Sequence, residues 1–338
     1  MKHGINPIKV FMKKPNLWPI ALAAVTINGA ATAAEAPKNF PTKPVRILVG
    51  YTPGGGVDMA ARLVGQSLGE LWNTSVVIDN RAGAAGGIAT EMTAKAAPDG
   101  YTLLLCTIAS HGITPARVKK LPYDPIRDFS LLSMVGGMPS VLMAHPSLAA
   151  RTLPDVIAQA KANPGKMSYG SSGVGASPHL AMELLKMMAG INIVHVPYKG
   201  ASAALSDAMG GQIPLSVGNL PGGPLAAIKS GKLRGLGVTT AKRSAKAPEV
   251  PTIAEGGVPG FEVTGWYGIC SPKLAKPLET KINADLVKVL TGATLKQRLD
   301  DQGIDVQSST PDEFIAHARA EIAKWSKVVK AAKLEGDE

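Results

Sequence analysis

Val45-Arg46-Ile47-Leu48-Val49-Gly50-Tyr51-Thr52-Pro53-Gly54-Gly55-Gly56-Val57-Asp58 decides the fold of this chain. A short apolar run gives way to a proline and three consecutive glycines. After them Val57, Ala60, Ala61, Val64, Leu68 and Leu71 fall on one helical face. Strand, glycine turn and helix in that order open an α/β unit. Further apolar runs follow at Val76-Val77-Ile78, Leu103-Leu104-Leu105, Val141-Leu142-Met143, Ile193-Val194-His195-Val196 and Leu215-Ser216-Val217. Continuous short runs of this kind are how strands buried on both faces of a parallel sheet read. Helical patterns at 154–162, 179–189, 202–209 and 225–229 separate them, so mostly parallel sheets flanked by helices, with right-handed crossovers, are expected. Near the end, Thr310-Pro311-Asp312-Glu313 carries a hydroxyl cap, a proline at the first helical position and a glutamate three residues after the cap. A helix with Phe314, Ala318, Ile322, Trp325 and Val329 on one face should start there.

The chain has 338 residues, 45% hydrophobic and 18% charged, enough for one large or two medium domains and unlike a disordered tail or fibrous repeat. No internal repeat is visible. Its net charge of +11 is spread thinly, and Lys2, Lys9, Lys13 and Lys14 all lie in the first 33 residues. A diffuse excess of this kind argues weakly for anionic ligands and against nucleic acid as a partner. Residues 1–33 have the layout of a secretory signal peptide: a basic stretch to Lys14, an apolar stretch from Leu17 to Ile27, and Ala31-Thr32-Ala33 as the cleavage signature. Pro19, Asn28 and Gly29 leave that stretch too short to span a bilayer, so an exported, periplasmic protein is expected. Cys106 and Cys270 are the two cysteines. A disulfide and a pair of buried thiols are both compatible with export, while the absence of clustered histidines argues against a zinc site.

Ligands of open α/β sheets bind beyond the carboxyl ends of strands, which directs attention to three loops. In the first, Tyr51 to Asp58, glycine backbone and a helix N-terminus favour a carboxylate or phosphate, with Asp58 alternatively capping the helix. In the second, Tyr169-Gly170-Ser171-Ser172-Gly173-Val174-Gly175-Ala176-Ser177-Pro178-His179, hydroxyls and backbone donors dominate. It lacks the third glycine of a dinucleotide fingerprint, the Gly-Lys-Ser/Thr of a P-loop and the Gly-x-Ser-x-Gly of a hydrolase elbow. The third, Val196 to Ser202, offers Tyr198 as a pocket wall and Lys199 as a cation. His111, His179 and His195 have no carboxylate or nucleophile at a telling spacing, and Asp79, Asp99 and Glu183 form no carboxylate pair. No catalytic residue, metal or cofactor is expected.

These loops, with Pro41-Thr42-Lys43-Pro44-Val45-Arg46, Asp79-Asn80-Arg81-x-Gly83-x-x-Gly86-Gly87, Pro98-Asp99-Gly100-Tyr101-Thr102-Leu103, His195-Val196-Pro197-Tyr198-Lys199-Gly200 and Gly265-Trp266-Tyr267-Gly268, make the chain resemble the Bug family of extracytoplasmic solute receptors, the TctC-like binding proteins of tripartite tricarboxylate transport. The resemblance covers the whole chain after the leader. It implies a two-domain, type II-like periplasmic binding protein, with residues 40–138 and 239–338 in one domain and 139–238 in the other. Val141 to Ala144 and Leu236 to Thr239 would border the hinge. It further implies a small organic carboxylate gripped by backbone groups and ordered water around Thr52, Pro53, Gly54, Gly55, Ser171, Ser172 and Ser177. Tyr51, Asp58, Ser110, His111, His179, Tyr198 and Asn219 complete the candidate site, and membrane permease subunits are the implied partners of a monomer. Two departures stand out. Val217-Gly218-Asn219 replaces Phe-Asp-Asn, removing an acid that could meet a ligand amine, and Thr114 replaces an asparagine before Pro115. An exported hydrolase using Ser172 or Ser177 with His179, and a receptor serving a sensor kinase, are the alternatives.

Overall fold

The computed structural model describes residues 39–336 apart from Lys199, together with Met1 and Gly4. The signal-peptide segment therefore falls almost wholly outside the described residues, and so does the Lys199 cation. The chain divides after Ala34, and the fold is that of the unit Glu35–Glu338. Among the described residues no helix is long and apolar enough to cross a membrane.

In chain order the elements are β1 (Val45–Val49), α1 (Gly56–Trp72), β2 (Val76–Asn80), α2 (Gly87–Ala94), β3 (Thr102–Thr107), a π-helical turn (Ala109–Ile113) running into α3 (Thr114–Arg117), β4 (Phe129–Ala144), α4 (Leu153–Ala162), β5 (Ser168–Ser171), α5 (Ser177–Ala189), β6 (Val194–Pro197), α6 (Ala201–Met209), β7 (Leu215–Asn219), α7 (Gly223–Lys229), β8 (Arg234–Val238), β9 (Thr264–Pro272), α8 (Lys276–Thr291), α9 (Ala293–Asp301), β10 (Asp305–Val306) and α10 (Pro311–Ala332). The strands run β2-β1-β3-β9-β4-β7-β5-β6, with β8 and β10 also paired to β4. Parallel pairs occupy the two ends, β1 with β2 and β3, and β5 with β6 and β7. The centre is antiparallel, because β4 and β9 run against their neighbours. The expected parallel pairing thus holds at the ends, and the two strands between them make the sheet mixed.

β4 explains that arrangement. Its first part pairs with β9 from Phe129 opposite Pro272 to Pro139 opposite Thr264. From Ser140 onward it pairs with β7 and β8 instead. At the changeover the Ser140 N–H donates to Thr239 Oγ1 at 3.0 Å, and the Thr239 N–H donates to the Ser140 carbonyl at 2.9 Å. Gly136, three residues before Pro139, has φ +155 and no room for a side chain, since a Cβ there would overlap the Asp305 carbonyl of β10.

Strand alternation distributes the core to both faces. Val45, Ile47 and Val49 of β1, with Leu103 and Leu105 of β3, pack with α1 and α8. Leu48, Leu104 and Cys106 point the other way, into a cluster holding Trp266, Cys270, Phe314 and Trp325. Each large apolar side chain enclosed in this way contributes roughly 1.5–3 kcal/mol. A third cluster, including Val141, Met143, Leu220 and Val238, lies around β4, β7 and β8. Helix α10 begins as its sequence dictates: the Glu313 N–H donates to Thr310 Oγ1 at 3.3 Å and the Thr310 N–H to Glu313 Oε2 at 2.8 Å. Phe314, Ala318, Trp325 and Val329 are buried, with Ile322 at the margin.

Candidate functional site

The first glycine loop is tied down by one buried acid. Asp58 accepts hydrogen bonds from the Gly54 N–H (2.9 Å), Arg62 Nε (2.8 Å) and Asn80 Nδ2 (2.9 Å). Burial by itself would raise its carboxyl, but hydrogen bonds from Arg62, Gly54 and Asn80 and the Arg62 charge outweigh it and hold the group at about 2. Asp58 is thereby committed to holding the loop, and its charge is matched by Arg62. Tyr51 is likewise occupied, donating to the Ala85 carbonyl (3.1 Å) and lying 3.3 Å from Thr107 Oγ1. Thr52, Pro53, Gly54 and Gly55 are left exposed at the start of α1. The first intrahelical bond there is from Met59 to the Gly55 carbonyl, so the N–H groups of the first turn precede the ladder and carry the positive end of the helix dipole.

A cavity of about 410 Å³ adjoins this helix start. Gly56 forms one part of its wall, and Ser216 to Asn219, Ser202, Leu205 and Pro224 form others. Among the described residues its lining includes Met138 and Met143 and one charged side chain, Asp301, with no lysine or arginine. An open depression of about 690 Å³ near Asp124, Lys273 and Arg319 is larger, but none of the glycine-loop residues borders it.

Met138 links the helix starts. A Cβ on Gly56 would sit 3.8 Å from the Met138 methyl and 3.5 Å from the Tyr267 hydroxyl, and one on Gly265 would sit 3.8 Å from both Met138 Cγ and Ser177 Oγ. Ser177 is the first residue of α5, and its buried Oγ has no hydrogen-bond partner among the described residues. The first turns of α1 and α5 therefore both approach the paired β4 and β9 around Met138 and Gly265. Tyr267, whose hydroxyl donates to Met138 Sδ at 3.5 Å, belongs to this group. Sequence reasoning noticed it only within Gly265-Trp266-Tyr267-Gly268, because nothing local marks a β9 residue as facing α1.

The serine loop is braced from behind by stacked rings. Ser171 Oγ lies 2.7 Å from His195 Nε2, and the Gly175 N–H donates to His179 Nδ1 at 3.1 Å. His179 stacks on His195 with centroids 4.0 Å apart, and His195 stacks on Tyr169 at 4.9 Å. Burial, reinforced by His195, Lys186 and Arg117, lowers His179 to about 3, so it stays neutral and can accept from Gly175. Burial lowers His195 as well. Ser172 is half-buried at the loop surface. Tyr198 donates to Asp207 on α6 (2.7 Å), and its N–H donates to the Ser171 carbonyl (3.1 Å), so it joins the loop to that helix. Asn219 reaches the cavity, where its Oδ1 accepts from Ser140 Oγ at 3.2 Å.

Ser110 and His111 are placed differently. The π-helical turn carries both into the core, 3% and 0% exposed, where His111 packs against Phe129 and Tyr123. The Ser172 or Ser177 pairing with His179 that a hydrolase would need is not formed: His179 Nδ1 is engaged by Gly175, and its Nε2 faces Glu183 at 3.7 Å.

Residues 60–334 match the model of the tripartite tricarboxylate transporter family receptor, TctC. The chain belongs to that family. Protein BugT of Bordetella pertussis is 34% identical over 314 residues, covering 92% of this chain and 96% of the relative. Among solved structures, Rpa4515 of R. palustris with adipate is 36% identical with a TM-score of 0.78, over 87% of this chain and 98% of that one. MatC from Rhodopseudomonas palustris with bound malate is 28% identical with a TM-score of 0.74, over 86% and 100%. The mixed α/β fold is that of the TctC and Bug periplasmic binding proteins, and membership places the chain among solute receptors rather than enzymes.

Proposed function

We propose that this TctC-family receptor captures a small organic carboxylate between two lobes in the periplasm and, as a monomer, delivers it to the membrane subunits of a tripartite tricarboxylate transporter. The observation that carries the reading is the cavity bounded at Gly56 by the positive end of α1, with the α5 start beyond Met138. The changeover at Pro139 and Ser140, bonded to Thr239, supports a division into 40–138 with 239–338 and 139–238, with β4 running from one into the other. The adipate and malate in the related structures support the choice of ligand class.

Within that class the lining favours a ligand with an apolar body. Met138, Met143, Leu205, Val217 and Pro224 supply apolar wall, and the carboxylate of Asp301 opposes a second buried anion beside it. One carboxylate would meet the N–H groups of Gly55 and Gly56 and the hydroxyls of Ser172 and Ser177, Asn219 would meet the ligand body, and any second carboxylate would stay at the mouth. Charge-assisted hydrogen bonds contribute about 1.5–3 kcal/mol each, so a few, plus apolar burial, reach the roughly 8 kcal/mol of micromolar affinity after the cost of association. Calorimetric titration with adipate, malate and citrate tests this: the order adipate, malate, citrate from tightest to weakest is expected, and tightest binding of citrate would overturn the apolar-body reading. Delivery is tested by carboxylate uptake in cells lacking the receptor. Unchanged uptake with intact binding would indicate a sensory role instead.

A further inference from the structure

The fold brings together three soft donors that lie far apart in the chain. Cys106 on β3, Cys270 on β9 and His111 from the π-helical turn present Sγ, Sγ and a ring nitrogen within 4.8 Å of one another, and all three residues are fully buried. Cys270 Sγ is 3.8 Å from His111 Nε2. We propose that these residues form a three-coordinate site for a single thiophilic cation, Cu(I), taken up as the chain folds.

Three features carry the assignment. First, the histidine is set up as a ligand. With its proton given to the Thr107 carbonyl (3.2 Å), the Ser110 hydroxyl accepts from His111 Nδ1, 3.0 Å away, and in that arrangement the ring carries its proton on Nδ1. The Nε2 lone pair then faces the sulfurs, and a fixed partner on the other ring nitrogen is the usual support of a ligating histidine. Second, the cysteines are badly placed for a disulfide. Leu104 is opposite Cys270 and Cys106 opposite Gly268, which makes the two cysteines a diagonal pair on one face of the sheet. Diagonal neighbours have Cα atoms about 7–8 Å apart, beyond the roughly 4.4–6.8 Å that a disulfide spans. An ion between the sulfurs tolerates the wider spacing.

Third, the separation fits. With metal–sulfur and metal–nitrogen bonds of about 2.3 and 2.0 Å, a trigonal ion sets S···N at about 3.7 Å and a tetrahedral one at about 3.5 Å. Two thiolates and one imidazole suit Cu(I) as a trigonal soft-donor set, whereas Zn(II) calls for a fourth ligand. Binding replaces both S–H protons by Cu–S bonds and releases two protons. No electron is transferred. Because the donors are closed to solvent in the folded chain, the ion must enter during folding.

The test is to unfold the reduced full chain, refold it without oxygen in the presence of Cu(I) or Zn(II), desalt, and measure bound metal and the thiolate-to-copper ultraviolet band. One equivalent of Cu(I) is expected to be retained, with the band present and the melting temperature raised. C106S and C270S should each retain none. Ser110→Ala, which keeps all three ligands and removes only the tautomer support, should weaken retention about 10–100-fold, and a cooperative thermal unfolding transition reports that it folds. No Cu(I) retained by the unaltered chain, equal retention by C270S, or Zn(II) held in preference to Cu(I) would each overturn the proposal.

Discussion

Replacing Gly54 by valine perturbs the proposed anion grip while sparing the core. Gly54 has φ +83, and a Cβ built there meets nothing within 4 Å. A side chain therefore fits in space but not in backbone conformation. For a β-branched residue the left-handed region costs roughly 1–3 kcal/mol, comparable to the net worth of the single Gly54 N–H to Asp58 bond that holds the loop there. The loop should relax to negative φ and take its N–H groups out of register with the start of α1. Losing two charge-assisted bonds at about 1.5–3 kcal/mol each predicts a 10²- to 10⁴-fold fall in carboxylate affinity. Calorimetric titration of both proteins with adipate measures it, and the unfolding midpoint should shift by only a few degrees. An affinity within threefold of the unaltered receptor would refute the idea that the first glycine loop binds the ligand.

Other perturbations separate grip from scaffold. Ser177→Ala removes a buried hydroxyl with no partner among the described residues, so thermal stability should hold or rise while carboxylate affinity drops about tenfold; a loss of stability with affinity intact would assign Ser177 to the fold. His179 is held at about 3, below its ordinary 6.5, chiefly by burial. Between those values the unfolded chain takes up a proton that the folded chain does not, so stability rises with pH across this window. Falling pH should remove about 1.4 kcal/mol per unit through this group. Urea unfolding at pH 7 and pH 5 reads the slope, to which His111, His195 and His317, also lowered by burial, contribute with the same sign, and His179→Asn should reduce it; an unchanged slope would mean the ring is accessible to protons. Thr310→Ala deletes the cap of α10 and should cost about 1 kcal/mol in denaturant unfolding, with carboxylate binding unchanged.

The local elements were legible because each carries its own signal. Val45 to Val49 is a strand at both ends of its range as read, and Thr310-Pro311-Asp312-Glu313 marks a helix start through groups adjacent in sequence. β4 was legible only at Val141-Leu142-Met143. Gly136, Gly137 and Pro139 within it look like a turn, yet Gly136 is there because β10 crosses too closely for a side chain. The mixed sheet follows from that strand and from β9, neither of which announces its direction locally. At the site, the glycine and serine loops stood out by composition. The links from Gly56 to Tyr267, from Ser171 to His195 and from His111 to Cys270 are products of tertiary folding across 24 to 211 residues, and no spacing in a single sequence encodes them. Asp58 was ambiguous between ligand and support because an acid in the first turn of a helix serves either, and its three donors decide for support.

On the proposed function, carboxylate draws two lobes together around the starts of α1 and α5. Spin labels at Glu70→Cys on α1 and Lys229→Cys on α7, both exposed positions, measure it by dipolar spectroscopy, the two native thiols being buried. Saturating adipate should shorten and narrow the distance distribution, with no response in the Gly54→Val background. Tight adipate binding with an unchanged distribution would mean that the ligand is held without closure of the lobes.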